Sequence, residues 1–300
     1  MLDATSTPLG RTGFTVWPVG LGTARLGAFW QGRGMAEGRR ALEAALDGGM
    51  DLVDTADCYA RGLSERLVGR AVRGRNACVI TKVGLLKTPA ALASAARYQS
   101  GGLAPRLRGL TRGPQASTCF AAGYVRAAAR ACLRRQKTQR LDLLLLHEPA
   151  ENDLREGQFL PALESLLAQG EVKAWGASVR SLPAARAALE LPGLSLLQVP
   201  VSALDTSTVD AVRDDACRVG VALVGIAALG DGHLLARAER VRPSWSHSRL
   251  VAELGRVALE TDGVDAVLLG MSSAAHVLGL LEACQNSERD SAFRTDLRGS

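Results

Sequence analysis

The sequence predicts an α/β fold: a (β/α)8 TIM barrel preceded by a short β-hairpin. Three observations carry this. Short apolar runs alternate with segments of helical apolar spacing about eight times along the 300 residues. The runs are continuous, which means strands buried on both faces and therefore a parallel sheet. The turn after the first such run, Gly20-Leu-Gly22-Thr-Ala-Arg, lacks the Gly-x-Gly-x-x-Gly spacing that an open dinucleotide-binding sheet places there. About eight units close a barrel, and the whole of 1–300 is read as one domain.

Residues 7–17 read as two short strands around a Gly-containing turn. Val19–Gly22 is the first barrel strand. Ala36–Leu46 has helical spacing and stops at Gly48-Gly49. Strand 50–54, helix Ser64–Val72 and strand Ala77–Val83 follow. Helix Gly123–Arg135 leads to strand Leu141–Leu146, and helix 158–168 ends at Gly170 before strand Val172–Ala177. Helix 182–190, strand Leu194–Val199, helix 206–218 ending at Gly220, and strand Val221–Ala227 continue the alternation. The segment 228–247 is irregular. Helix 248–260, strand Val264–Leu269 and helix 273–284 complete it, and the polar tail 287–300 is expected to fray.

Composition excludes several classes. An apolar share of 47% supplies a core, and no uninterrupted apolar stretch is long enough to span a membrane. The first residues lack the basic-then-apolar pattern of a secretory leader. The six cysteines lie far apart with no Cys-x-x-Cys pair, which favours a reduced, cytoplasmic protein. No His, Cys or Asp group has the spacing of a metal site, so none is expected.

Residues 85–120 interrupt the alternation and are far longer than an ordinary βα loop. They carry Lys87, Arg97, Arg106, Arg108 and Arg112 with no acid, and the next acid is Asp142. The stretch reads either as an insertion with a solvated basic face or as a basic lid for an anionic substrate or an acidic carrier. Few aromatics accompany the charge, so nucleic acid is not the expected partner.

Side chains at the carboxyl ends of barrel strands do the chemistry of such folds. Here those ends carry Asp54 and Tyr59 after the second strand, Lys82 at the third and His147 at the fourth. An ammonium beside a phenol stabilises its phenolate and is expected to lower its pKa, while a carboxylate holds the ammonium. The imidazole can position a carbonyl. Such a set protonates a carbonyl oxygen while hydride reaches its carbon, and hydride requires a nicotinamide or flavin. Asp57 is read as orienting the loop, Cys58 as inert packing and Glu148 as a neighbour without a proton to move.

Asp-Thr-Ala-Asp-Cys-Tyr (54–59), Gly-Leu-Ser-Glu (62–65), Thr-Lys-Val-Gly (81–84) and Leu-Leu-Leu-Leu-His-Glu-Pro (143–149) resemble, in order, the blocks of the aldo-keto reductases. Leu-Gly-Arg-Thr-Gly (9–13) and Val-Gly-Leu-Gly-Thr (19–23) are similar to that family's hairpin and first strand. The resemblance runs from Leu9 to about Glu282 and leaves out the 85–120 insertion. It implies a catalytic tetrad of Asp54, Tyr59, Lys82 and His147, and NADPH, or else NADH, as cofactor. Gly22 and Thr23 belong to the same cofactor-binding set.

The resemblance further implies that Ser178 and Gln198 hold the nicotinamide amide. Ser272, Ser273 and His276 then hold the adenosine phosphate. The segment departs from the family where Val179 replaces an Asn, where Ile226 or Ala227 replaces a stacking Tyr, and where Gly279 and Leu280 replace an acid–amide pair. The activity implied is reduction of an aldehyde or ketone, or the reverse oxidation. An anionic or carrier-borne metabolite in a secondary-metabolism tailoring step suits the basic insertion. Two other readings stay open: a non-redox dehydration, isomerisation or cyclisation on the same scaffold, and a regulatory barrel using the basic region.

Overall fold

The computed structural model describes residues 6–26, 34–87, 89–97, 117–286 and 290–299. Two short antiparallel strands, β1 (Thr7–Pro8) and β2 (Thr15–Val16), form the expected hairpin. The barrel strands are β3 (Val19–Gly22), β4 (Leu52–Asp54), β5 (Cys78–Val83), β8 (Leu141–His147), β9 (Val172–Ser178), β10 (Leu194–Pro200), β11 (Ala222–Ile226) and β12 (Ala266–Gly270). They pair in that order, all parallel, and β12 closes on β3 through Leu268 opposite Gly20 and Leu269 opposite Leu21. The predicted class is the observed one.

Two apolar layers follow from strands buried on both faces. Inward residues, Leu52, Ile80, Leu143, Leu145, Leu196, Val224 and Ala266, fill the barrel together with Leu9 and Val16 of the hairpin. The hairpin therefore plugs one end of the barrel, and Arg11 ties it there by donating from Nε to the Leu194 carbonyl at 3.0 Å. Outward residues such as Val53, Leu144, Leu146, Leu197 and Leu269 pack against the helices.

The helices are α1 (Met35–Asp47), α2 (Leu63–Ala71), α3 (Pro89–Ala96), α4 (Ala122–Gln136), α5 (Glu151–Glu156), α6 (Leu160–Ala168), α7 (Leu182–Leu189), α8 (Ser207–Asp210), α9 (Arg213–Val219), α10 (His233–Val241), α11 (His247–Leu259), α12 (Ala274–Asn286) and α13 (Phe293–Gly299). None is long and apolar enough to cross a membrane. Ser181 and Ser246 cap α7 and α11 by accepting from the backbone N–H of Ala184 and Arg249.

Four expectations about elements are corrected. The helix read over 158–168 is preceded by α5, which stops at Gly157 in the left-handed region (φ 61). The helix read over 206–218 breaks in two, because the Val212 N–H bonds the Val209 carbonyl three residues back and both valines turn inward. The irregular 228–247 contains α10, whose Leu234 and Ala238 bury against α11 and α13.

The fourth concerns the tail, which is not frayed over its described part. Phe293 and Leu297 are buried, the Phe293 ring stacks on Trp245 at 5.4 Å, and Arg242 pairs with Asp290 and Asp296 at 2.8 and 2.6 Å. Its two apolar residues, four apart in a polar sequence, are the signal that was missed.

The insertion leaves β5 through Gly84 (φ 114) and forms β6 (Leu85–Leu86), which pairs antiparallel with β7 (Ser117–Thr118). Leu86, Ala95 and Cys119 pack with Tyr124 of α4, anchoring the base of the insertion. Arg106, Arg108 and Arg112, which belong to the stretch read as either a solvated insertion or a basic lid, lie outside the described residues.

Candidate active site

Strand β4 is only three residues long, so Asp54 is delivered at its very end and the chain turns at once. Tyr59 opens a 3-10 turn in which Ala60, Arg61 and Gly62 all take left-handed backbone (φ 46, 56 and 82). For Ala60 and Arg61 that conformation costs on the order of 1 kcal/mol each. Its effect is a tight reversal that leaves the phenol over the barrel mouth before α2 begins. Behind it, the Thr23 hydroxyl donates to the Asp54 carbonyl and meets Ser64 Oγ at 2.7 Å, and Thr55 Oγ1 donates to Ser64.

The four predicted tetrad residues converge. Lys82 Nζ donates to Asp54 Oδ2 at 2.5 Å, to the Thr55 carbonyl at 3.1 Å and to Tyr59 Oη at 3.3 Å. An ammonium has three protons, and here each has an acceptor. Gln198 Nε2 donates to the other Asp54 oxygen at 2.8 Å. The His147 ring stands edge-on to Tyr59, with centroids 5.8 Å apart and planes at 81°. Asp54, Lys82 and His147 are 5%, 2% and 4% exposed, so their mutual fields are weakly screened. Because Lys82 donates to the phenol oxygen, the phenol's own proton is left to point away from it.

Burial pushes the Tyr59 phenol above its ordinary range. Lys82 pulls the other way and loses, which corrects the expectation of a lowered value. Burial works against the Lys82 ammonium as well, but the Asp54 carboxylate and Tyr59 outweigh it and hold its pKa up. His147 is depressed well below the usual imidazole range, first by burial and then by Lys82, Lys87 and Arg180. At neutral pH the site therefore holds a phenol, an ammonium and a neutral imidazole.

These groups line a cavity of about 240 Å³ whose wall also includes Gly22, Arg25, Glu148, Ser178, Arg180, Gln198, Ile226 and Leu268. The predicted cofactor residues divide. Gly22, Ser178 and Gln198 lie on the wall. Thr23 does not: it is fully buried, with its N–H and hydroxyl both bonded to the Asp54 carbonyl.

Ser272, Ser273 and His276 lie at the start of α12 and are not among the residues lining this cavity. There Ser273 Oγ accepts the His276 N–H, the His276 ring packs 5.2 Å from His247, and the Ala274 N–H donates to Glu37 Oε1 at 2.8 Å. A carboxylate thus occupies the helix start expected to meet a phosphate. Gln198 was expected to hold a nicotinamide amide. Its nitrogen serves Asp54, while its Oε1 is buried without a hydrogen-bond partner among the described residues.

Sequence reasoning passed over Arg25 and the Arg180–Glu148 ion pair (3.2 Å) on the rim. Positive φ at Glu148 (54) and Ala227 (59), both just past strand ends, marks the same rim but is invisible in the residue types. Spacing along the chain gave no metal-type group, but separation in sequence is not separation in space. The fold brings Asp57, Cys58 and His147 together, with ligand atoms all within 4.8 Å of one another.

A model of the Aldo/keto reductase family matches residues 18–253. The chain belongs to that family. Among characterised relatives, D-threo-aldose 1-dehydrogenase of a Pseudomonas species is 29% identical over 203 residues, covering 66% of this chain and 60% of that protein. Pyridoxal 4-dehydrogenase of Microbacterium luteolum is 43% identical over 82 residues, covering 27% and 24%. The matched part thus spans less than two thirds of these relatives. An aldo-keto reductase from Bacillus halodurans, solved in its holo form, superposes with a TM-score of 0.73 at 21% identity, over 99% of this chain and 96% of that one, which supports the barrel fold. Aldo/keto reductase membership makes a nicotinamide dinucleotide the group to test against the site. The nicotinamide end fits: the orphaned Gln198 Oε1 is a buried acceptor where a carboxamide N–H2 is a donor.

Proposed function

We propose that the protein is a NADPH- or NADH-dependent carbonyl reductase, able to run in reverse as an alcohol dehydrogenase. The observation that carries the reading is Lys82 saturated by Asp54, Thr55 and Tyr59, opposite a neutral His147 on one cavity wall. His147 donates a hydrogen bond to the substrate carbonyl and fixes its position. Tyr59 Oη gives its proton to the carbonyl oxygen as negative charge develops there. Lys82 stabilises the phenolate left behind, and Asp54 keeps Lys82 charged and in place. Ser178 and Gln198 are the residues that would hold the nicotinamide. Bound there, the reduced form would supply the hydride for the carbonyl carbon.

Arg25 on the rim, with Lys87 near enough to act on His147, supports a small substrate carrying negative charge, Arg180 there being already paired with Glu148. Lys87 belongs to the basic insertion, whose charge favours an anionic or carrier-borne metabolite.

The test is turnover of paired neutral and carboxylated aldehydes with each dinucleotide. Tyr59→Phe is expected to keep the fold and dinucleotide binding but lose about 10²–10⁴-fold in kcat. The carboxylated aldehyde is expected to show the lower KM. Unchanged kcat in Tyr59→Phe would sink the assignment, and turnover without added dinucleotide would favour the non-redox reading.

A further inference from the structure

Two side chains that the proposed reduction does not use, Asp57 and Cys58, meet the tetrad residue His147 beside the site. Asp57 and Cys58 are consecutive and half-buried on the loop after β4, and the end of β8 brings the buried His147 to them. Cys58 Sγ is 3.8 Å from His147 Nδ1, and a carboxylate oxygen of Asp57 completes a triangle with no edge above 4.8 Å. Asp57 takes the Cys58 backbone N–H on its carboxylate, yet its Oδ1 is buried without a hydrogen-bond partner among the described residues. A buried carboxylate oxygen without a partner is costly, and burial, then Glu65, raise the Asp57 pKa to about 7, so a proton or a cation can relieve that cost.

The ligand chemistry narrows what that is. Thiolate, imidazole and carboxylate are the donor set of tetrahedral zinc, with bonds of about 2.0–2.3 Å and hence ligand–ligand edges of roughly 3.3–3.7 Å. The sulfur–nitrogen edge is within a few tenths of an ångström of that range, and the edges to Asp57, none above 4.8 Å, would shorten on binding. A catalytic cysteine is the other use of a Cys–His–Asp group. Burial raises this thiol to about 12, so it is not a nucleophile by itself, whereas a bound metal deprotonates a thiol outright. Lys82 and Lys87 act on the cluster from nearby and oppose a dication, so hard ions without affinity for sulfur gain nothing there.

We propose that Asp57, Cys58 and His147 form an inhibitory site for a thiophilic divalent cation of the zinc type. On binding, the metal–sulfur bond replaces the S–H bond, the proton leaves to solvent, and no electron is transferred. His147 Nδ1 becomes a ligand, which pins the imidazole against the loop so that it no longer adjusts to a substrate carbonyl. The inhibitory part rests on the role given above to His147; the binding part does not.

The experiment titrates the whole protein with Co²⁺ and then Zn²⁺. Expected are one equivalent of Co²⁺ with a thiolate-to-cobalt absorption band, displacement by Zn²⁺, and loss of turnover as Zn²⁺ binds, with Mg²⁺ inert. Cys58→Ser is expected to keep basal turnover, lose the band and raise the inhibitory Zn²⁺ concentration at least about tenfold. Asp57→Asn should weaken Co²⁺ binding while keeping the band. No thiolate band, or the same band in Cys58→Ser, overturns the site. A band with full turnover at saturating Zn²⁺ overturns the inhibition. Because the spectrum needs no substrate, the metal site is tested even if the protein reduces no carbonyl.

Discussion

At Tyr59 two effects oppose each other: desolvation favours the neutral phenol, and the Lys82 ammonium favours the phenolate. Desolvation wins, so the phenol keeps its proton across the ordinary pH range, and in the proposed reduction Lys82 is left to stabilise the anion that forms. His147 is tuned the opposite way, since burial and three nearby cations keep it neutral. The signs give a pH profile. The active phenol is lost only above pH 10, its ordinary value. The neutral imidazole is lost only well below 6.5, its ordinary value. Carbonyl-reduction kcat/KM should therefore be flat between about pH 6.5 and 10 with respect to both groups. A stopped-flow profile with an acid limb at the ordinary imidazole value, absent in His147→Gln, would contradict this. Gln198 shows what residue types alone conceal: one end of its amide holds Asp54, and the other is a buried acceptor without a hydrogen-bond partner among the described residues.

Elements decide where these residues arrive. The three-residue β4, the left-handed run at Ala60–Gly62 and the start of α2 place Tyr59 over Lys82 of the neighbouring strand. At the other end of the expected dinucleotide site, α1 leans on α12 so that Glu37 accepts from Ala274 at the helix N-terminus while its other oxygen pairs with Arg40. A helix start favours an anion, and here a carboxylate already supplies it. A 2′-phosphate brought near would be repelled. Glu37→Gln is therefore expected to tighten NADPH binding by about tenfold and to change NADH binding far less, a difference on the order of 1.4 kcal/mol. Fluorescence titration of each dinucleotide reads it, and equal changes for both would remove Glu37 as a discriminator. The insertion is anchored on α4 at its base, so Lys87 is held near His147.

For the molecule as a whole, the barrel interior is closed at one end by the hairpin and open at the other into the cavity. Leu9 is fully buried among the inward residues of the strands. Leu9→Ala should cost about 2–5 kcal/mol of unfolding free energy, measured by guanidinium denaturation. The site is built at the opposite strand ends, so KM should stay unchanged.

The alternation of continuous apolar runs and helical spacing was sufficient for the barrel, and scarce residue types at three strand ends pointed to Asp54, Tyr59, Lys82 and His147, which the fold brings together at one cavity. Both are local signals, written in period and position along the chain. The structure alone decided the rest, since each remaining feature joins residues far apart in sequence. Glu37 reaches Ala274, Gln198 reaches Asp54, Phe293 stacks on Trp245, and Cys58 meets His147. Distance between such pairs is set by strand register and helix packing, which no window of the sequence contains.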